Sequence, residues 1–251
     1  VARYLQTFVK IFSREEYRND FLNGKLYMNT IEYFKNYEEV ANSNIADKNE
    51  ALMAWLQPND VKVQLQLGDT EYELSSKDFA SPLTISISSH NNCNIFCLTY
   101  LHGKDIDIDS PFDSATFEIL QNSFILDKRI SELGEFAVSI NPEIFLERVR
   151  KAVEDLVKNK AIVSGISKAV TYYDEDKSSL SLDLHTDAVF HKQSKYSHQS
   201  EFRICIFRNN TTGEPFILDV GELRDIAKII NTKDLNNFFN LQLDKVFESD
   251  S

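Results

Sequence analysis

Glycine, proline and cysteine are all scarce in this sequence, at 7, 5 and 3 of 251 residues. So little glycine and proline excludes a collagen-like repeat, a low-complexity linker and a loop-rich disulfide scaffold. The glycine-dependent motifs are missing as well: there is no GxxxxGK[ST], GxGxxG or GxSxG, and neither HExxH nor a paired CxxC occurs. Cys93, Cys97 and Cys205 are too few to frame a disulfide scaffold and fit a reducing cytosol. Cys93 and Cys97 lie in "NNCNIFCLTY", which reads as a strand, and a rise of ~3.3 Å per residue sets them too far apart for one metal ion. No run of ~20 apolar residues is present to span a membrane. The start, "VARYLQTFVKIF", lacks the positive region, long apolar core and cleavage site of a secretory signal.

Cationic side chains are also in deficit, 27 against 39 acidic ones, for a net charge of -12. That field repels nucleic-acid phosphates and anionic lipid headgroups, so neither nucleic acid nor membrane is an expected partner. It suits a soluble cytoplasmic protein, and equally one that docks on a basic surface of a protein partner, such as a nucleic-acid channel. The five histidines include His185, His191 and His198 close together, but at strand or loop spacing and without a carboxylate-rich signature, so no metal site is expected.

What is present is a pattern of short alternating segments. "RYLQTFVKIF" alternates as a strand, and Ser13 with Glu16 reads as a capping box opening a helix over 14–22 that stops at Asn23-Gly24. "KLYMN" is a short strand and "NTIEYFKNYEE" a second helix. Residues 40–59 read as a mobile loop leading into a strand. Val61, Val63, Leu65 and Leu67 alternate up to Gly68-Asp69 and predict a hairpin with "TEYELS". "PLTISISS", "NIFCLTYL", "GEFAVSI", "AIVSGISKAVTYYD", "EFRICIF" and "FILDV" are further strands, "NNTTGEP" a turn, and 221–240 is helical in pieces; 103–132 carries mixed signals. Asn141-Pro142-Glu143 starts the clearest helix, whose stripe of Phe145, Val149, Val153, Leu156 and Val157 marks a core face. With no linker or repeat, residues 1–251 are expected to form a single α+β domain, a mostly antiparallel central sheet with a few packed helices.

The segment "FHKQSKYSHQSEFRICIF" holds Tyr196, Gln199 and Glu201 just ahead of a buried strand. This resembles the aromatic-x-x-Gln-x-Glu turn of mono-ADP-ribosyltransferases. The resemblance implies NAD as the substrate, with Glu201 as the catalytic carboxylate that grips the ribose and supports an oxocarbenium ion, and Gln199 addressing the acceptor. It further implies that Arg3, on the first strand, and Ser86, in "LTISISS", hold the NAD together with Tyr196. The residues alone also allow a purely structural reading, in which Glu201 and Arg203 share a strand face and pair.

A longer resemblance covers "FVKIFSREEYRNDFLNGKLYMNTIEYFKNYEE", "NIFCLTY" and "FHKQSKYSHQSEFRI". These are similar to segments of an uncharacterised protein family of bacteria, phages and mobile elements. That likeness implies a bacterial or phage cytoplasm and a part in host-phage conflict. Two functions are therefore expected side by side. One is an inhibitor or defence factor that binds a protein through its acidic surface, without a cofactor. The other is an NAD-dependent ADP-ribosyltransferase-like enzyme or toxin.

Overall fold

The structure, a computed structural model, describes residues 2–41, 47–209 and 213–241. Residues 42–46 of the expected loop at 40–59 and 210–212 of the "NNTTGEP" turn lie outside the described residues, while the rest of 40–59 holds a strand, Leu52–Leu56, and a 3-10 turn, Pro58–Asp60. The chain opens with β1 (Tyr4–Phe12), α1 (Glu15–Leu22), β2 (Lys25–Thr30) and α2 (Ile31–Ala41). β3 (Leu52–Leu56), the hairpin β4 (Val63–Leu67) and β5 (Thr70–Leu74), and β6 (Leu83–Ser86) precede the long β7 (Asn94–Asp107). α3 (Ser114–Asn122), α4 (Lys128–Ser131), β8 (Phe136–Ile140), α5 (Pro142–Lys158) and β9 (Ser164–Ala169) follow. Short strands β10 (Thr171–Tyr173), β11 (Leu180–Ser181) and β12 (His191–Gln193) lead to β13 (Glu201–Phe207), β14 (Phe216–Asp219), β15 (Ala227–Asn231) and α6 (Leu235–Phe238).

The fold is α+β, built on one eight-stranded antiparallel sheet in the order β14-β2-β7-β1-β8-β15, with β13 pairing β7 and β9 beyond it. The central strand has an unusual pairing. β13 pairs residues 94–99 of β7, while β2 pairs only Asn94 and Ile95 and β1 pairs from Thr99 onward. A strand has two edges, so β1 and β2 must share the edge opposite β13, with Phe96–Leu98 left between them. β1 peels away from β7 after Val9 and stays paired with β8 to Phe12. The sheet is therefore split, and the split is where the cavity described below opens.

Alternation of side chains fills both faces. Phe8 and Phe12 of β1, Phe96 and Leu98 of β7, and Phe202, Ile204 and Ile206 of β13 meet α1 and α5 in the largest core. On the opposite face, Val9 and Leu101 pack with α3, α4 and α6, while Ile95 and Cys205 pack with Ile31, Val189 and Phe190. In α5, Phe145 and Val149 are buried as the stripe requires, Val153 and Leu156 are partly so, and Val157 is exposed. Gly24 ends α1 as expected, because its φ of +87° favours glycine and a Cβ there would stand 2.0 Å from the Gly221 carbonyl.

Local expectations differ at three places. α1 starts from Arg14 as its N-cap, with no side-chain cap bond, so Ser13 and Glu16 are out of register for a box; Glu15 and Glu16 instead complement the dipole of the first turn. Ala227–Asn231, within the segment read as helical, is an edge strand, because ladder bonds to β8 outweigh local propensity. "AIVSGISKAVTYYD" is divided between β9 in the main sheet and β10, which pairs in parallel with β12. Among the described residues no helix is long and apolar enough to cross a membrane.

Candidate functional site

β13 sends Phe202, Ile204 and Ile206 into the core and Glu201 and Arg203 to the other face. Arg203 donates through Nε to Glu201 at 2.5 Å, and through its two terminal nitrogens to Glu50 at 2.7 and 2.9 Å, with a further bond to the Val189 carbonyl at 2.7 Å. Lys192 lies on the same carboxylates, 3.0 Å from Glu201 and 3.2 Å from Glu50, and donates to Gln199 Oε1 at 2.8 Å. Each cation thus touches both carboxylates. All four side chains are nearly inaccessible, Glu201 at 6% being the most exposed.

Burying four charges is tolerable only when each is paired and hydrogen-bonded. Burial alone would raise the Glu201 carboxyl; Arg203 and Lys192 reverse this and hold it below the usual carboxylate range. Burial likewise opposes the charge on Lys192, and Glu201 with Glu50 more than restores it, so this ammonium titrates above its ordinary value. The Cys97 thiol, hydrogen-bonded to Glu201, is pushed up by burial and by that carboxylate, which keeps it protonated and inert as a nucleophile. Tyr172, whose hydroxyl accepts the Glu201 backbone N–H at 2.8 Å, is pushed up to about 12, chiefly by burial and then by Glu201.

This cluster forms part of the wall of a cavity of about 970 Å³. The cavity passes through the split in the sheet and so touches both faces: Phe12, Phe21 and Phe96 from one, Cys97 and Thr99 from the other. Lys10 occupies the split itself. It lies on the Phe8–Phe12 side of β1, with its ammonium 4.6 Å from the Phe96 ring centroid and donating to the unladdered Cys97 carbonyl at 2.7 Å. Among the described residues it pairs with no carboxylate, and burial lowers its pKa. The rim carries the exposed rings of Tyr17, Tyr27 and Tyr33, a ready surface for stacking a planar ligand. The four-charge cluster is neutral as a whole; of the other lining groups, Lys10, Lys25 and Arg129 outnumber Asp20 and Glu132. In a chain of net charge -12, this cavity leans cationic.

The residues singled out in the sequence divide. Glu201 and Gln199 line the cavity and meet on one ammonium, although Gln199 is in a 3-10 turn and Ser200, in the left-handed region at φ 43°, stands between them. Tyr196 is buried behind them, its ring 5.1 Å from the Lys192 nitrogen, and does not line the cavity. Arg3 and Ser86 are elsewhere. Arg3 is exposed and tied to Asp109 at 2.7 Å, seven residues of extended strand before Lys10, roughly 23 Å away at the rise of a strand. Ser86 is exposed on β6, in the small sheet with β3 and β11. Neither lines the cavity.

Sequence reasoning missed Lys10, Glu50 and Lys192. Lys10 did leave a signal, a lysine between Phe8 and Phe12 on the apolar side of an alternating strand. Lys192 lies inside the segment already singled out, whereas Glu50 sits in a polar stretch with no pattern to mark it. Among the described residues no group of three or more His, Cys, Asp or Glu is arranged to hold a metal ion. No protein-family model, curated protein or solved structure matches the chain.

Proposed function

We propose that the chain is an enzyme that breaks the N-glycosidic bond of NAD and passes the ADP-ribosyl group to an acceptor or to water, in the manner of the transferases its Gln-x-Glu turn resembles. One observation carries this reading: Glu201, kept ionised by Arg203 and Lys192, stands in the wall of a nucleotide-sized cavity with Gln199 beside it. As the bond to nicotinamide lengthens, positive charge grows on the ribose, and a fixed carboxylate oxygen stabilises it without reorganising. Among the described residues, three bonds from Arg203 and Lys192 aim the carboxylate, and the Cys97 thiol beside it is a donor weak enough for a ribose hydroxyl to replace. Lys10 offers a cation to the phosphates in place of Arg3, and the rim tyrosines offer faces to the bases. The test is incubation with NAD labelled in the adenylate, followed for nicotinamide release and for label on protein. Release of nicotinamide supports the reading; intact NAD together with no NAD-dependent rise in melting temperature overturns it.

A second reading, a host-phage conflict factor that binds a basic protein partner, is favoured by the charge of -12. The acidic stretch "DIDIDSPFD", 105–113, would be a contact for such a partner and is partly committed to local structure. Asp107 accepts the Arg3 and Asp109 backbone N–H groups, Asp109 pairs with Arg3, and Asp113 caps α3. Neutralising those residues and measuring association with a captured basic partner at low salt tests it; an unchanged on-rate removes the segment from the interface.

A further inference from the structure

His198 lies between Tyr196 and Gln199 and reaches the same cavity as Glu201. Its Nδ1 is 3.1 Å from the carbonyl of Lys195. A carbonyl can only accept, so Nδ1 carries the proton and, in a neutral ring, Nε2 holds the lone pair. The surroundings keep the ring neutral. Burial lowers its pKa and outweighs the opposing Lys195 bond; of the charges facing it, Arg129 and Lys192 lower it further and Asp127 raises it. Lys195, on the same turn, directs its ammonium onto the Tyr196 ring at 5.0 Å.

We propose that His198 Nε2 is the general base of this site, the group that takes the proton from the nucleophile attacking the ribosyl carbon. The inference rests on the reaction proposed above. In the step, the oxygen of water or of an acceptor hydroxyl forms its bond to C1′ while the bond from C1′ to the nicotinamide nitrogen breaks. The electron pair of the broken bond quenches the pyridinium charge, the O–H proton moves to Nε2, and it is then released to solvent. Glu201 is already ionised and committed to the cationic ribose, and the Cys97 thiol is held protonated, so neither serves as this base. A base contributes here only while neutral, and turnover is expected to fall as the pH drops through the lowered histidine value, below about 6.5.

The informative variant is His198→Asn. Its amide nitrogen can still donate to the Lys195 carbonyl, so the turn keeps its bond while the Nε2 lone pair is lost. The expected result is a fall in kcat of about 10²–10⁴-fold with little change in KM or melting temperature, loss of the acid limb from the pH profile, and partial recovery with added imidazole. A purely structural histidine would give none of these. Independently of activity, ¹⁵N shifts of the imidazole should show the Nδ1-protonated neutral ring at pH 7; an Nε2-protonated or charged ring overturns the assignment. Should the wild type cleave NAD and His198→Asn match it with its acid limb intact, only the role of His198 falls. Should the wild type leave NAD intact, the reaction falls and the base with it.

Discussion

Arg203 and Glu201 stand two residues apart on one face of β13, joined at 2.5 Å, while the far side of the guanidinium forks onto Glu50, 153 positions earlier in the chain. One side chain thus ties the last third of the sequence to the first. Arg203→Met should cost about 3–5 kcal/mol, because it leaves two buried carboxylates facing Lys192 alone. Arg203→Lys should recover little of this, since a lysine cannot reproduce the fork. Urea unfolding midpoints decide it, and a loss under about 1 kcal/mol for the methionine variant would mean the cluster is wetter than described.

The same cluster sets a pH dependence of stability. Glu201 titrates lower in the folded chain than unfolded, so its contribution is complete above the unfolded value of about 4.3 and is lost as the pH falls from there. Lys192 titrates higher when folded, so its contribution is complete below about 10.4 and is lost above. Stability from this source should be flat between roughly pH 5 and 10 and fall at both ends. Unfolding midpoints of wild type and Glu201→Gln should therefore converge as the pH is lowered from 5 to 3; a constant gap would contradict the shift.

Lys10→Met separates recognition from folding. The lost bond to the Cys97 carbonyl is a single one, and removing a half-buried cation offsets it, so stability should change by no more than about 1 kcal/mol. Affinity for ADP-ribose should drop about 10-fold or more while that for nicotinamide riboside, which has no pyrophosphate, stays within about 2-fold. Calorimetric titration of both ligands is the check; equal losses would remove Lys10 from the phosphate site.

Ser200 holds a left-handed backbone at φ 43° and ψ 51°, between the two residues of the Gln-x-Glu turn. Ser200→Gly should relieve that strain and leave folding stability equal or up to about 1 kcal/mol higher. Activity should fall nonetheless, because the added backbone freedom loosens the spacing of Gln199 and Glu201. A thermal melt and an NAD assay on one preparation would show the opposite signs.

Period-two alternation marks β1, β7 and β13, which line the site, and β8 beside them, and the N-cap, proline and stripe of 142–158 mark α5, because these signals are local. The split in the sheet was not legible. It depends on where β1 leaves β7 and where β2 joins it, a register set by packing at long range. For the same reason Glu201 and Gln199 could be picked from one turn, whereas Glu50, brought to them across the chain, could not. The resemblance points to Arg3 at the start of the first strand; the structure places Lys10 of that strand at the cavity, since the register fixes which end of β1 borders it.

In the proposed reaction Glu201 is the group that meets the growing charge on the ribose. Its most direct test is nicotinamide release from NAD by wild type and Glu201→Gln, at a temperature where melts show both folded. The account predicts that the wild type releases nicotinamide and the variant is slower by about 10²-fold or more, with NAD still raising the melting temperature of both. Equal release by the two folded proteins would contradict it.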